Sequence, residues 1–316
     1  MTTVNTMRAI SQNVLGGPEV LKEVQVERPA PRPNEVLVRV RAAGVNPTDW
    51  KHRATGGFLG EPPFVLGWDV SGVVEAAGIG VARFKPGDEV FGMLPYPFGH
   101  GSHAEYVTAP ARAFAHKPSG IDHIQAGALP LVSLTAWQAL VETADIQPGQ
   151  RVLIHAAAGG VGHVAVQIAK ARGAYVIGTA SAGKHDFLRE IGVDEAIDYR
   201  ETDFTEAAKD VDVVLDTIGD DYSVRSLRVL RPGGIVVSIL PVGSADFYEE
   251  AERIGVRAVR MLVDASHTGM SAIAELVEAG KLRATIAATF PLADAAEAHA
   301  LGDTGRTTGK LVLVVD

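Results

Sequence analysis

The chain of 316 residues contains no cysteine, so disulfides, thiolate nucleophiles and thiolate zinc sites are excluded by arithmetic. It also lacks a basic surplus: 38 acidic residues stand against 29 Lys and Arg, for a net charge of -9. Such a chain offers no broad cationic surface to nucleic acid or an anionic membrane. The opening MTTVNTMRAI has no long apolar run of the kind a secretory signal needs. A cytoplasmic protein without nucleic-acid or membrane partners is expected. One window, residues 152–169, carries no Asp, Glu, Lys or Arg and approaches the length of a membrane-crossing helix. His155, His163, Gln167 and a glycine cluster inside it suit a buried strand, turn and helix instead.

At this length two domains are expected. Up to about residue 130 short β-like runs (EVLVRVRAAGV, VSGVVEAAG, DEVFGML, HAEYVTAP) lie between Pro and Gly turn signals, which suggests a compact, barrel-like β domain. Beyond it, six apolar runs (RVLIHAA, AYVIGTA, EAIDY, VDVVLDTI, GGIVVSIL, VRAVRMLV) alternate with helical stretches such as GKHDFLREIG and SAIAELVEAGKL. Runs that are apolar on both faces belong to strands covered on both sides, so this half reads as an α/β doubly wound parallel sheet. The tail from TIAATFPL to KLVLVVD returns to the first style. The expected boundaries are 1–130 with 282–316 for the β domain and 131–281 for the sheet domain.

After the first sheet strand, Ala157, Gly159 and Gly162 reproduce the G-x-G-x-x-G spacing with alanine at its first position. Such a turn brings backbone close to a pyrophosphate and aims the free N–H groups of a helix start at it. A structural turn is the alternative reading. An acidic residue about 20 positions on would mark an NAD ribose. The corresponding stretch is GTASAGKHD, with Thr179, Ser181 and Lys184. A hydroxyl and an ammonium suit a 2′-phosphate, so NADPH is expected over NADH. Lys184 alone could equally be a solvated first-turn lysine. Tyr199, closing the third strand, could flank an adenine or lie on the surface, and His155 reads as a satisfied core histidine.

Taken in order, GVNPTDWKHR, VLGWDVSGVV, FKPGDEVFG, SLTAWQAL, IHAAAGGVGHVAVQIAK and RPGGIVV span nearly the whole chain. With them the chain resembles the medium-chain dehydrogenase/reductase superfamily, in its zinc-free quinone oxidoreductase (zeta-crystallin-like) branch. The resemblance implies a GroES-like β-barrel catalytic domain plus a Rossmann nucleotide-binding domain. Zinc alcohol dehydrogenases of the superfamily hold their metal with a Cys, a G-H-E histidine and a further Cys or Asp. Those places here hold Asn46, Trp68 and Leu131, which cannot supply a tetrahedral zinc; no metal is expected.

Without that Lewis acid, the resemblance implies hydride transfer from NADPH to a small molecule already electrophilic, a quinone or an α,β-unsaturated carbonyl (enone or enal). It assigns Asn46 to the nicotinamide ribose or the substrate oxygen, an Asx turn before Pro47 being the alternative. Lys51 becomes a carbonyl-binding or cofactor-binding residue, a solvated surface lysine being the alternative. Thr135, the turn residues Ala158, Gly159, Gly160, Val161 and Gly162, and Thr217, Ile218, Leu240 and Val242 fall on the cofactor. Trp50, Met93, Tyr96 and Phe98 are candidate substrate-pocket residues, with core or loop packing as the alternative for each. A homodimer is implied as well. A non-catalytic NADPH-binding protein and an enoyl-thioester reductase are the competing readings. No residue stands out as a proton donor.

Overall fold

The computed structural model describes residues 5–241 and 246–316. They form two compact units: Met1–Leu131, Asp264–Ala279 and Arg283–Asp316 in the first, Val132–Val263 and Gly280–Leu282 in the second. Residues 264–279, assigned from sequence to the sheet domain, thus fall in the first unit. Their helix, His267–Glu278, is amphipathic and anchors there through His267 Nδ1, 2.7 Å from the carbonyl of Phe114.

The first unit is built on two sheets. The larger runs in the order Ile286–Pro291, Lys310–Val314, Glu35–Val45, Asp69–Ala77, Glu89–Met93, Phe114–His116, with Tyr106–Pro110 also paired to Glu35–Val45. Only its first pair is parallel. The smaller sheet joins Lys22–Glu27, Thr6–Gln12 and Phe64–Val65. Neither of its first two strands announces itself in the sequence. Lys22–Glu27 is an edge strand with no buried residue, so its side chains carry little apolar signal. Glu35–Val45, in contrast, is paired on both edges and buried along most of its length, as its apolar run requires.

The second unit is one six-stranded parallel sheet, in the order Glu195–Asp198, Tyr175–Ala180, Arg151–Ile154, Val211–Asp216, Leu230–Ser238, Arg257–Arg260. All six strands coincide with the apolar runs of the sequence. The order reverses beside Arg151–Ile154, and in open parallel sheets the carboxyl ends of the strands at such a point are where ligands bind. Leu153, Ile177, Val214 and Val236 from four strands share a core with Phe204, Leu227 and Phe247. Among the described residues no helix is long and apolar enough to cross a membrane.

Candidate active site

In the second unit the chain leaves Arg151–Ile154 through a tight turn in which Ala156 takes φ +45°, and enters the helix Gly160–Ala171 with Gly159 as its N-cap. No side chain caps that helix, and its first turn has no acidic residue. Its opening amides therefore remain suited to an anion. Gly162 is required for a steric reason, since a Cβ there would lie 2.3 Å from the Ala156 carbonyl oxygen and 2.7 Å from Ala157 Cα. The helix can meet the turn this closely only without a side chain. Ala157 and Ala158 are buried beneath the turn, and Gly159, Gly160 and Val161 are partly exposed. This backbone cradle fits a dinucleotide pyrophosphate.

Thr179 belongs to the same turn. It is 2 % exposed and its Oγ1 accepts a hydrogen bond from Ala156 N at 3.1 Å, tying the second strand to the turn. His155 is fully buried, as its place on the strand suggests. Ser226 Oγ donates to the Tyr222 carbonyl, so it accepts from His155 Nε2 at 2.9 Å, and burial pushes the imidazole down to about 4. Ser181 opens a single helical turn, Ala182–Lys184, and Lys184 is partly buried, which lowers its pKa. Tyr199 and Arg200 lie within electrostatic reach of Lys184. The Arg200 guanidinium stands 5.8 Å from the centre of the Tyr199 ring.

Two residues here escape a reading confined to the end of the second strand. Arg200 adds a second cation from the end of the third. Asp198 holds the two strand ends together, accepting from Ala182 N at 3.1 Å and from Arg200 N at 3.0 Å. Asp216 is a third omission. Fully buried at the end of the fourth strand, it accepts from Ile218 N (2.9 Å), Gly219 N (3.0 Å), Ser238 Oγ (2.9 Å) and Ser223 Oγ. It thereby shapes the turn carrying Thr217 and Ile218. Thr217 donates to the His155 carbonyl at 2.7 Å, while Ile218 is 41 % exposed. Leu240 is partly buried, and Val242 lies outside the described residues. Thr135 is 4 % exposed on the helix Pro130–Trp137.

In the first unit the helix Pro47–Thr55 begins at Asn46, with proline at its first position and Asp49 at its third. Asn46 N donates to Asp49 Oδ2 at 2.6 Å, and Asp49 N returns a bond to the Asn46 carbonyl at 2.9 Å. The Asn46 side chain is engaged elsewhere. Its Nδ2 donates to Asp69 Oδ2 at 2.9 Å, and its Oδ1 accepts from Lys310 Nζ. Lys310 Nζ also reaches the Val45 carbonyl at 3.2 Å and Asp69 Oδ2 at 3.4 Å, while Asp69 Oδ1 accepts from Leu131 N at 2.6 Å. Asn46, Asp49, Asp69 and Lys310 are all at most 2 % exposed. Gly44 makes room for the group, since a Cβ there would lie 2.3 Å from Asp69 Oδ2.

Burial drives both members of the Asp69–Lys310 pair toward neutrality, and their mutual attraction opposes it. Three acceptors around Lys310 and three donors around Asp69 are the pattern of a charged pair. Among the described residues Asp49 has no cation bonded to it. Burial first, and the Asp69 charge after it, raise its pKa to about 7.

The four candidate substrate-pocket residues differ in their surroundings. Met93 is a fully buried strand residue, as its core-packing alternative expects. Trp50 packs on the helix Ala295–Asp303, where a Cβ on Gly302 would meet its ring at 2.5 Å. Phe98 is 74 % exposed. Tyr96 alone joins an aromatic group, with ring centres 5.3 Å from Trp68, 6.2 Å from Phe58 and 6.3 Å from His52. Its phenol oxygen lies 3.0 Å from Thr48 Oγ1. Trp68 is fully buried, and its Nε1 donates to the Pro97 carbonyl at 3.1 Å. Lys51 is exposed and makes no ion pair among the described residues.

With this geometry in view, residues 32–119 match the family model described as an alcohol dehydrogenase GroES-like domain, and residues 191–313 the one described as a zinc-binding dehydrogenase. The chain is 34 % identical to the mouse (Mus musculus) mitochondrial NAD(P)H oxidoreductase RTN4IP1, over 90 % of this chain and 82 % of that one. It is 36 % identical to the 2-haloacrylate reductase of Burkholderia sp, over 95 % and 96 %. Among solved structures, the quinone oxidoreductase of Coxiella burnetii superposes with a TM-score of 0.93 at 38 % identity, over 99 % of this chain and 100 % of that one. The Escherichia coli quinone oxidoreductase, solved in complex with NADPH, gives 0.88 at 30 % identity, over 97 % and 99 %. The second family model is named for zinc, but the residues here do not fit that metal. Trp68 presents an N–H already donated to Pro97, Leu131 has no donor atom, and the Asn46 oxygen faces the Lys310 ammonium.

Proposed function

Because this chain belongs to the quinone oxidoreductase branch of the medium-chain dehydrogenase/reductase superfamily and is an NAD(P)H oxidoreductase of that kind, we propose that it is a zinc-independent, NADPH-dependent reductase of quinones or α,β-unsaturated carbonyl compounds. The observation that carries this reading is the buried Asn46–Asp69–Lys310 group. A fixed ammonium and a buried carboxylate stand where a Lewis acid would be needed to activate an alcohol. With no metal-ligand set at these positions, we read the substrate as one that is already electrophilic.

Bound NADPH supplies a hydride; the rest falls to the protein. The uncapped start of Gly160–Ala171 holds the pyrophosphate. Lys184 and Arg200 face the 2′-phosphate, with Tyr199 and Ser181 beside them. The Asp198 oxygens are engaged by the amides of Ala182 and Arg200, and two cations, Lys184 and Arg200, stand against its one negative charge. Thr135, Thr217, Ile218 and Leu240 attend the nicotinamide half, and in the first unit Asn46 fixes the start of the Pro47–Thr55 helix. Lys51, on the exposed face of that helix, attracts the carbonyl oxygen.

The test is NADPH oxidation, followed at the nicotinamide absorbance, against benzoquinone, cyclohexenone, hexenal and a crotonyl thioester, with and without a metal chelator. Turnover of a quinone, enone or enal that ignores the chelator is expected. Nucleotide binding with every acceptor inert would overturn the reading in favour of a non-catalytic protein, and turnover of the thioester alone would replace the substrate class.

A further inference from the structure

We propose that Tyr96 is the proton donor of this reductase, held as a donor by Thr48 and His52; the proposal rests on the functional reading above. It starts from the hydrogen positions that the geometry leaves possible. His52 Nδ1 lies 2.7 Å from the Thr48 carbonyl, an acceptor only, so Nδ1 carries a hydrogen. Thr48 Oγ1, 3.1 Å from that same nitrogen, therefore cannot donate to it. Among the described residues the remaining partner for the Thr48 hydroxyl is Tyr96 Oη at 3.0 Å. Either oxygen can donate in that contact; in the reactive arrangement proposed here Thr48 donates to Tyr96, which leaves the Tyr96 O–H free for the bound carbonyl. Burial lowers the His52 pKa and raises that of Tyr96, so at neutral pH both are in the neutral forms this arrangement needs.

The surroundings of Tyr96 suit a flat conjugated ligand. Phe58 and Trp68 stand edge-on to its ring, Phe58 is 52 % exposed, and Tyr96 itself is partly exposed. The Trp68 indole, at a place that holds a metal-binding histidine in zinc relatives, anchors the loop carrying Tyr96 through the Pro97 carbonyl. As hydride and its electron pair arrive at the β-carbon of an enone, the C=C pair shifts and the carbonyl π pair moves onto oxygen. The Tyr96 O–H bond breaks, its proton passes to that oxygen to give the enol, and the electron pair stays on Tyr96 Oη. There the Thr48 hydroxyl hydrogen-bonds the phenolate until solvent returns a proton. The enol then becomes the saturated ketone in solvent.

Tyr96→Phe removes one oxygen and keeps the ring. It is expected to lower kcat about 10²-fold, the usual scale for loss of a positioned general acid, with KM little changed, and to abolish the solvent isotope effect on kcat. Thr48→Val is expected to fall between the two, and Thr48→Ser to restore the wild-type rate. A readout without turnover is the infrared C=O stretch of isotopically labelled cyclohexanone bound to the protein with oxidised nucleotide. The stretch is expected at lower frequency in the wild type than in Tyr96→Phe. A Tyr96→Phe variant with unchanged kcat and the wild-type stretch overturns the proposal while leaving the reductase reading intact. If the wild type is inert yet the stretch differs between the two proteins, the reductase reading fails and Tyr96 stands as a donor to a bound carbonyl; inert protein with no difference overturns both.

Discussion

The two units assemble their candidate chemistry from different material. In the sheet unit it is mostly main chain: a turn, the start of Gly160–Ala171 and strand ends, gathered from one continuous stretch of residues. In the first unit it is side chains: Asn46, Asp69 and Lys310 meet in full burial across sequence separations of 23, 241 and 264 residues. The first kind tolerates many sequences so long as the glycines stay small. The second kind depends on charge balance, because an ion left alone in an apolar interior is costly.

Removing one charge should break the comparison most visibly. Lys310→Met leaves Asp69 buried without its cation, and unfolding in urea should show a loss of about 3–5 kcal/mol. Adding Asp69→Asn should recover much of that loss, since the second change removes the stranded charge; a double variant no better than the single one would mean that Lys310 acts only by packing.

Titration should separate the units by sign. Asp49 is raised from 3.8 to about 7, so between those values the folded chain holds a proton that the unfolded chain has lost. Its contribution to stability is present below pH 4 and falls as pH rises through 7, with a slope of up to about 1.4 kcal/mol per pH unit. His155 is lowered from 6.5 to about 4, so its contribution is present above pH 6.5 and falls as the solution is acidified toward 4. Stability differences between wild type and Asp49→Asn, and between wild type and His155→Gln, should therefore run with opposite slopes across pH 4–7. Parallel slopes would refute the assignment.

The glycines sharpen the comparison on the other side. Gly162→Ala drives a Cβ to 2.3 Å from a carbonyl oxygen, whereas a Cβ on Gly183 meets nothing within 4 Å. The first should lose about 1–3 kcal/mol and most of its NADPH binding by fluorescence titration, and the second neither. Smallest is the cofactor preference. Lys184→Glu or Arg200→Glu should raise KM for NADPH about tenfold, near 1.4 kcal/mol, and hardly alter KM for NADH. Equal changes for both nucleotides would show that neither residue reads the 2′-phosphate.

The same contrast explains what could be read from the sequence. All six sheet strands were legible because strands covered on both faces are continuous apolar runs, and the glycine turn because its spacing is local. Lys22–Glu27 was not, since a solvated edge strand has nothing to hide. Lys310 was hidden differently. In KLVLVVD it resembles an ordinary strand-start lysine, and only its coincidence with Asp69, a lone acid opening the apolar DVSGVV, hints at a buried pair. Arg200 carries no such signal, because a ribose reader is expected at the end of the second strand and the third ends beside it. Met93, a pocket candidate or core residue by sequence, is buried on Glu89–Met93, a strand paired on both sides.

The position of Lys310 also governs the order of events during synthesis. Asn46 and Asp69 emerge from the ribosome early, the whole stretch 132–263 follows, and the ammonium that neutralises Asp69 arrives only with the strand Lys310–Val314. Until that strand docks between Ile286–Pro291 and Glu35–Val45, Asp69 has no cation, and closing the first unit over it is costly.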